Sequence, residues 1–377
     1  MKFSVLDSAP VRVDGTGAEA LTESLERAQQ LDQIGCHRLW FTEHHLAPDV
    51  ASTSPLTMVG QVAARTTNLR LGAGGVMIRN HPPLVVAEQA ATLSLLYPDR
   101  IDLGIGRSGG SDHSTDTRIR RTIMDYNTFD EDVDETIYLL GQLGATEVRV
   151  FILASSPETA LFAGRRGLGL AVAGHVAPAG IESAITAYRG SYRARQQAED
   201  RPWVVLCLPV LIAQSDADAR WWFRSVQRRY LDRLRTGGAP MVLPAEADLD
   251  WSASESYRVD RMLEAAIVGS PGTVATKLRE MNRRWAPDEL MAMTDLPCPK
   301  MTMNSHIQLA KLAAALLPGT RATPPLDKTS SMRTADLNRL QPAADISDLC
   351  QRATETSNQN ADDLASPVNA TEWELPP

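Results

Sequence analysis

The chain is poor in cysteine, lysine, aromatic residues and long apolar runs, and each shortage removes a class of function. Its four cysteines, Cys36, Cys207, Cys298 and Cys350, lie far apart, with no C-x-x-C pair and no histidine at metal-ligand spacing. That pattern writes neither a zinc site nor a disulfide framework, so reduced, mostly buried thiols are expected. Lysine occurs only at Lys2, Lys277, Lys300, Lys311 and Lys328, and 38 basic against 46 acidic residues leave a net charge of -8. No basic footprint for nucleic acid or anionic lipid results. No window reaches the about 18 uncharged apolar residues of a membrane span. The opening MKFSVLD passes into a strand-like run without the apolar stretch of a signal peptide, so a soluble, cytoplasmic protein is expected. Aromatics make up only 5% of the 377 residues, yet 43% are hydrophobic, enough for a large core.

What is present is a repeating unit. Apolar runs of strand length recur at Phe3–Asp7, Arg38–Thr42, Leu69–Ile78, Arg100–Gly106, Val148–Ala154, Gly169–Gly174, Val204–Ala213 and Leu290–Thr294. Helical patterns lie between them, such as Ala18–Ile34 before Gly35, Leu84–Leu96 before Pro98 and Pro157–Arg166 before Gly167. Eight βα units fit a (β/α)8 TIM barrel better than an open doubly wound sheet, and place one domain over residues 1–318. A polar stretch rich in Gly, Pro, Ala and Ser, Thr236–Asp260, interrupts the rhythm between strands 7 and 8 and reads as an inserted lid loop. Residues 319–377 lose apolar periodicity and read as a partly flexible C-terminal extension.

In such a barrel the chemistry sits just after each strand. After the second run comes Glu43-His44-His45; adjacent histidines project differently, so at most one faces a common site as base or hydrogen-bond donor, and a metal pair is not expected. After the fourth, Gly104-Ile105-Gly106-Arg107-Ser108-Gly109 is formally a dinucleotide fingerprint, but it follows three earlier strands and enters a turn-rich loop. What survives is Arg107, suited to clamping a phosphate or carboxylate. After the fifth, Ser155-Ser156-Pro157-Glu158-Thr159 is a well-formed helix start, either a capped helix alone or an anion site for the same phosphate. Gly72-Ala73-Gly74-Gly75 inside the third run calls for a bulge or for a planar ligand close to the backbone. Trp221, Trp222 and Phe223 read as helix core.

Together, Leu39-Trp40-Phe41-Thr42-Glu43-His44-His45, Leu71-Gly72-Ala73-Gly74-Gly75-Val76, His81-Pro82, Glu88-Gln89 and Asp99-Arg100-Ile101-Asp102-Leu103-Gly104-Ile105-Gly106-Arg107 resemble the bacterial luciferase-like flavin-dependent monooxygenases. The resemblance covers about residues 1–318. It implies a TIM barrel that takes reduced FMN from a separate flavin reductase and reacts with molecular oxygen through a C4a-peroxyflavin, in a biosynthetic tailoring step such as hydroxylation, epoxidation or Baeyer-Villiger oxidation. It places the flavin phosphate on Arg107, Ser155, Ser156 and Thr159, the catalytic histidine at His44, and a non-prolyl cis peptide against the isoalloxazine at Gly74-Gly75. It also implies a homodimer through the helices near Pro55–Arg65 and Leu84–Leu96. Gly106 stands where bacterial luciferase has its reactive cysteine, and the segment between strands 6 and 8 has its own composition; both point away from light emission. The remaining readings are a deazaflavin-dependent oxidoreductase on the same barrel and a non-enzymatic flavin-binding subunit.

Overall fold

A computed structural model describes residues 1–108, 115, 118–119, 128–194 and 201–316; the C-terminal extension lies outside them. Strands β1 (Lys2–Asp7), β2 (Arg38–Phe41), β3 (Arg70–Met77), β4 (Ile101–Gly106), β5 (Arg149–Ala154), β6 (Gly169–Ala173), β7 (Val204–Ile212) and β9 (Glu289–Met293) pair in parallel, each with its neighbour. Pairing of β6 with β7, β7 with β9 and β9 with β1 closes them into an eight-stranded (β/α)8 barrel. The eight runs singled out in the sequence are these eight strands.

Alternation with period two sorts each strand between two cores. Phe3, Val5, Leu39, Phe41, Leu71, Ile101, Leu103 and Ile105 point outward into the layer beneath the helices. Leu6, Trp40, Phe151, Ala171, Val205, Cys207 and Met291 fill the lumen. Below them Arg38, with no exposed surface, ties Asp102 Oδ2 and Glu289 Oε1, each at 2.6 Å. The lumen is therefore plugged by charge at its N-terminal end and packed above it.

Trp40 explains most of the glycine in β3. A Cβ at Gly72 would lie 2.8 Å from Trp40 Nε1, and one at Gly74 would lie 2.8 Å from Leu6 Cδ1 and 3.0 Å from Trp40 Cε3. The pairing of β3 with β4 shifts between Gly74 and Val76, so the bulge is present, and the Gly74–Gly75 peptide is cis. Both bulge and indole use the space that the glycines leave.

The described helices are α1 (Gly17–Gln33), α2 (Pro55–Ala63), α3 (Pro83–Leu96), α4 (Phe129–Gln142), α5 (Pro157–Arg165), α6 (Ile181–Ser191), α7 (Asp216–Thr236), α8 (Ala253–Met262), α9 (Pro271–Trp285) and α10 (Pro299–Leu316). Gly35 and Gly167, which follow α1 and α5, take positive φ of 76° and 62°, the left-handed turn that stops a helix.

The connection from β7 to β9 departs from the sequence expectation. It holds α7, a segment containing α8, and a three-residue strand β8 (Ile267–Gly269) beside the far end of β7. The expected lid loop is thus partly helical, and it is tied down. Met241 exchanges backbone hydrogen bonds with Val11 and Val13, Arg224 donates to the Pro244 and Ala247 carbonyls, and Arg235 pairs with Glu255 at 2.7 Å. On α7, Trp222 is buried, Phe223 is partly buried against the core cluster of Tyr230 and Leu231, and Trp221 is 40% exposed, so the core expectation fails for Trp221. Cys36 and Cys207 are free and buried, whereas Cys298 is disulfide-bonded, against the expectation of reduced thiols; Cys350 lies outside the described residues.

Candidate functional site

Two arcs of side chains face each other at the C-terminal ends of the strands. The first arc comes from β3, β4 and β5. Ile105 of β4 pairs with Ile152 of β5, so Arg107 and Ser155, which come just after these strands, leave adjacent strand ends. Arg107 is exposed and lies over the Phe129 ring at 5.5 Å. Ser155 is exposed, while Ser156 and Thr159 are half-buried. Ser156 is the N-cap of α5, yet its side chain makes no capping bond to the helix. The first N–H groups therefore keep capacity for an anion. The exposed Glu158 carboxylate already turns to them: its own backbone N–H and the Ser156 hydroxyl hold its pKa below the ordinary value. A negatively charged group is thus accepted at this helix start, and the residues fit a phosphate.

Gly104 and Gly106 lie within β4, not in a strand-to-helix turn, and a Cβ at Gly104 would fall 2.3 Å from the Ala73 carbonyl oxygen. Strand packing accounts for that glycine without a dinucleotide. Gly109, which completes the formal fingerprint, lies outside the described residues.

Between the arcs stands the loop after β2. His44 is half-buried, and its backbone N–H donates to the Ser52 carbonyl at 3.1 Å. Its neighbour His45, not His44, is the histidine joined to Glu43: His45 Nε2 and His81 Nε2 each lie 2.8 Å from Glu43 Oε1. Glu43 Oε2 accepts the Met77 N–H at 3.0 Å, and Asn80 Nδ2 donates to Oε1 at 3.3 Å. Burial alone would raise the Glu43 pKa, but His81, His45 and the Met77 amide together hold it below the ordinary value. An ionised carboxylate only accepts, so both Nε2 atoms carry hydrogen. Glu43 thereby fixes two imidazoles and the end of β3 around His44. Sequence reasoning missed this hub, because His81 and Asn80 come from another βα unit and no spacing rule joins them to Glu43.

The second arc lies under α7. Arg229, 3% exposed, donates through Nε to Asp49 Oδ2 at 2.8 Å and through Nη2 to Ser8 Oγ at 3.1 Å, and it pairs with Asp295. These partners come after β2, β1 and β9 respectively. One residue on, Tyr230 donates to the His175 carbonyl, after β6, at 2.9 Å. The helix is therefore pinned across the barrel mouth from the β2 side to the β6 side. Burial, then Arg233 and His44, push the His175 imidazole down to about 4, so it is neutral at pH 7.

A separate cavity of about 360 Å3 opens at the opposite, N-terminal face among Phe151, Tyr188, Tyr192 and Trp203; it contains none of the residues above. Among the described residues no cluster of three or more His, Cys, Asp or Glu could hold a metal ion. No helix among them is long and apolar enough to cross a membrane.

The family model described as luciferase-like monooxygenase matches residues 1–289. A luciferase-like monooxygenase of Escherichia coli (strain K12) is 37% identical over 303 residues, covering 77% of this chain and 90% of that protein. Among solved structures, apo-MsnO8 superposes with a TM-score of 0.76 at 27% identity, covering 84% of this chain and 98% of that one. The oxygenating constituent of 3,6-diketocamphane monooxygenase of Pseudomonas putida, solved in complex with FMN, has a TM-score of 0.61 at 15% identity over 84% and 100% of the two chains, a likeness of fold.

Proposed function

The chain belongs to the luciferase-like monooxygenase family, and from that premise we propose that it binds reduced FMN and uses molecular oxygen to oxygenate a small organic substrate. The observation that carries the reading is that Arg107 and the start of α5 leave the adjacent ends of β4 and β5, in the same arc as the Gly74–Gly75 bulge of β3. Arg107, Ser155, Ser156 and Thr159 would hold the flavin phosphate, and the β3 bulge would lie along the ring system. The bound flavin supplies oxygen activation. His44 donates or holds a proton at the mouth, the Glu43 hub keeps its loop in place, and α7 limits water on the other side. A separate reductase supplies the reduced flavin.

Anaerobic mixing with reduced FMN, followed by oxygenated buffer in a stopped-flow instrument, tests this. Protein-bound flavin is expected to reoxidise through a slow phase that free reduced FMN does not show. Reoxidation as in buffer, or binding of a deazaflavin in preference to FMN, overturns the proposal. Arg107→Ala is expected to weaken FMN binding by about 2 kcal/mol, roughly thirtyfold, because hydrogen bonds to charged groups are the strong ones. Equilibrium dialysis reads the affinity, and an unchanged value removes Arg107 from the phosphate site.

The chain forms a homodimer through α3 in this reading. Leu84, Val85, Leu95 and Leu96 are 47%, 40%, 66% and 65% exposed on this one helix, an apolar surface that a monomer has no use for. Leu95→Arg is expected to halve the mass seen in sedimentation equilibrium; a monomeric wild type refutes the interface.

A further inference from the structure

Arg229 is fully committed, but Arg233, one turn further along α7, is not. Its Nε and Nη2 both turn to Asp49 Oδ2, at 3.1 and 2.9 Å, an oxygen that already accepts from Arg229. No described residue bonds Nη1, and the side chain is 27% exposed. The guanidinium is thus anchored along one edge and open along the other, beside the neutral His175 whose carbonyl Tyr230 holds. The anchoring cluster balances itself: Arg229 and Arg233 face Asp49 and Asp295. A further monoanion would give it one net negative charge, shared through a planar fork that matches a carboxylate; a dianion would add twice that.

The same rim displays apolar surface. Leu46, two residues after His44, is 75% exposed and sits at φ 52°, a left-handed conformation that a bulky side chain rarely takes. Val176, next to His175, is 56% exposed. The loops after β2 and β6, which α7 joins through Asp49 and the His175 carbonyl, therefore each carry an exposed hydrophobic side chain.

Resting on the monooxygenase reading, we propose that the substrate is an amphipathic molecule bearing a carboxylate, that Arg233 binds the carboxylate through its open edge, and that the apolar body lies along the mouth toward His44. Arg233 is a specificity residue and has no part in flavin binding.

The test compares heptanoate with heptanamide, isosteric probes that differ in charge, by calorimetric titration of the FMN-loaded protein. Heptanoate is expected to bind about tenfold more tightly or better, since the charge-assisted contact is available to it alone. In Arg233→Gln the two affinities should converge while FMN affinity stays unchanged, and Arg233→Lys should restore part of the preference. Asp49 keeps Arg229 in both variants, so a melting curve near that of the wild type is expected; should Arg233→Gln unfold, a preference in Arg233→Lys reduced below that of the wild type supports the proposal and an undiminished one overturns it. Equal affinity for the two probes, no measurable heptanoate binding at millimolar concentration, or a preference that survives Arg233→Gln overturns the proposal. A heptanoate preference without any FMN binding would instead refute the flavin reading and leave the carboxylate site standing.

Discussion

His44→Ala is expected to lower coupled oxygenation by about a hundredfold or more, the scale of a lost general acid or base, while leaving FMN affinity within about a factor of two. The separation comes from where the residue stands. Its loop is fastened by backbone, through the bond to the Ser52 carbonyl, and the Glu43 hub holds the neighbouring His45 together with His81. The phosphate arc of Arg107 and Ser155–Ser156 leaves the ends of β4 and β5, two strands away from the His44 loop, and is expected to keep its geometry. Oxygen consumption should continue and appear as hydrogen peroxide, since the flavin can still be oxidised without its proton partner at the mouth. Peroxide assay beside product assay checks this, and full coupled turnover would remove His44 from the chemistry.

Arg38→Met is expected to cost about 3–5 kcal/mol of stability, the penalty for stranding a buried charge. Asp102 would keep Arg70 at 2.6 Å and Trp40 Nε1 at 3.2 Å, but Glu289 would retain Ser4, a long contact of 3.4 Å from Trp203 and His37 at 4.0 Å, with no guanidinium. In the wild type burial would raise the Glu289 pKa, and Arg38 with His37 and Ser4 holds it below its ordinary value. That depressed pKa contributes stability above the unfolded value of about 4.3, lost as pH falls through the folded pKa. In Arg38→Met the sign reverses: burial without its cation raises the carboxyl above the unfolded value. The deficit of the variant against the wild type should then shrink as pH falls below neutrality and the carboxyl protonates. Urea unfolding at neutral and acid pH measures it, and a pH-independent deficit contradicts the account. Arg38→Met combined with Glu289→Met should recover most of the loss, because both buried charges then leave together.

The barrel was legible because its strands are buried on both faces and so read as continuous apolar runs at regular intervals. Features built by residues distant in sequence were not. The glycines of β3 left two explanations open; the choice depended on the register shift against β4 and on the Trp40 indole of the neighbouring strand β2, pairings that no local spacing shows. β8 is three residues long, too short for any periodicity. The helix α8 did carry a signal. Ser252 and Glu255 form a reciprocal capping box, an S-x-x-E pattern hidden by the surrounding Gly, Pro and Ala. The strand-end position of Arg107 and the start of α5 at Pro157 were readable, since both are local properties of the sequence. The Arg229–Asp49–Asp295 cluster was not, because Asp49 and Asp295 lie on loops 180 and 66 residues away from Arg229 on α7.

The packed lumen also governs traffic. With Trp40, Phe151 and Met291 filling the barrel above the Arg38 plug, nothing can pass from one end to the other, and α7 roofs part of the remaining entrance. In the proposed reaction, flavin, oxygen, substrate and product would therefore share one doorway at the C-terminal end of the barrel, between the Arg107 arc and α7, and each would enter and leave past the others.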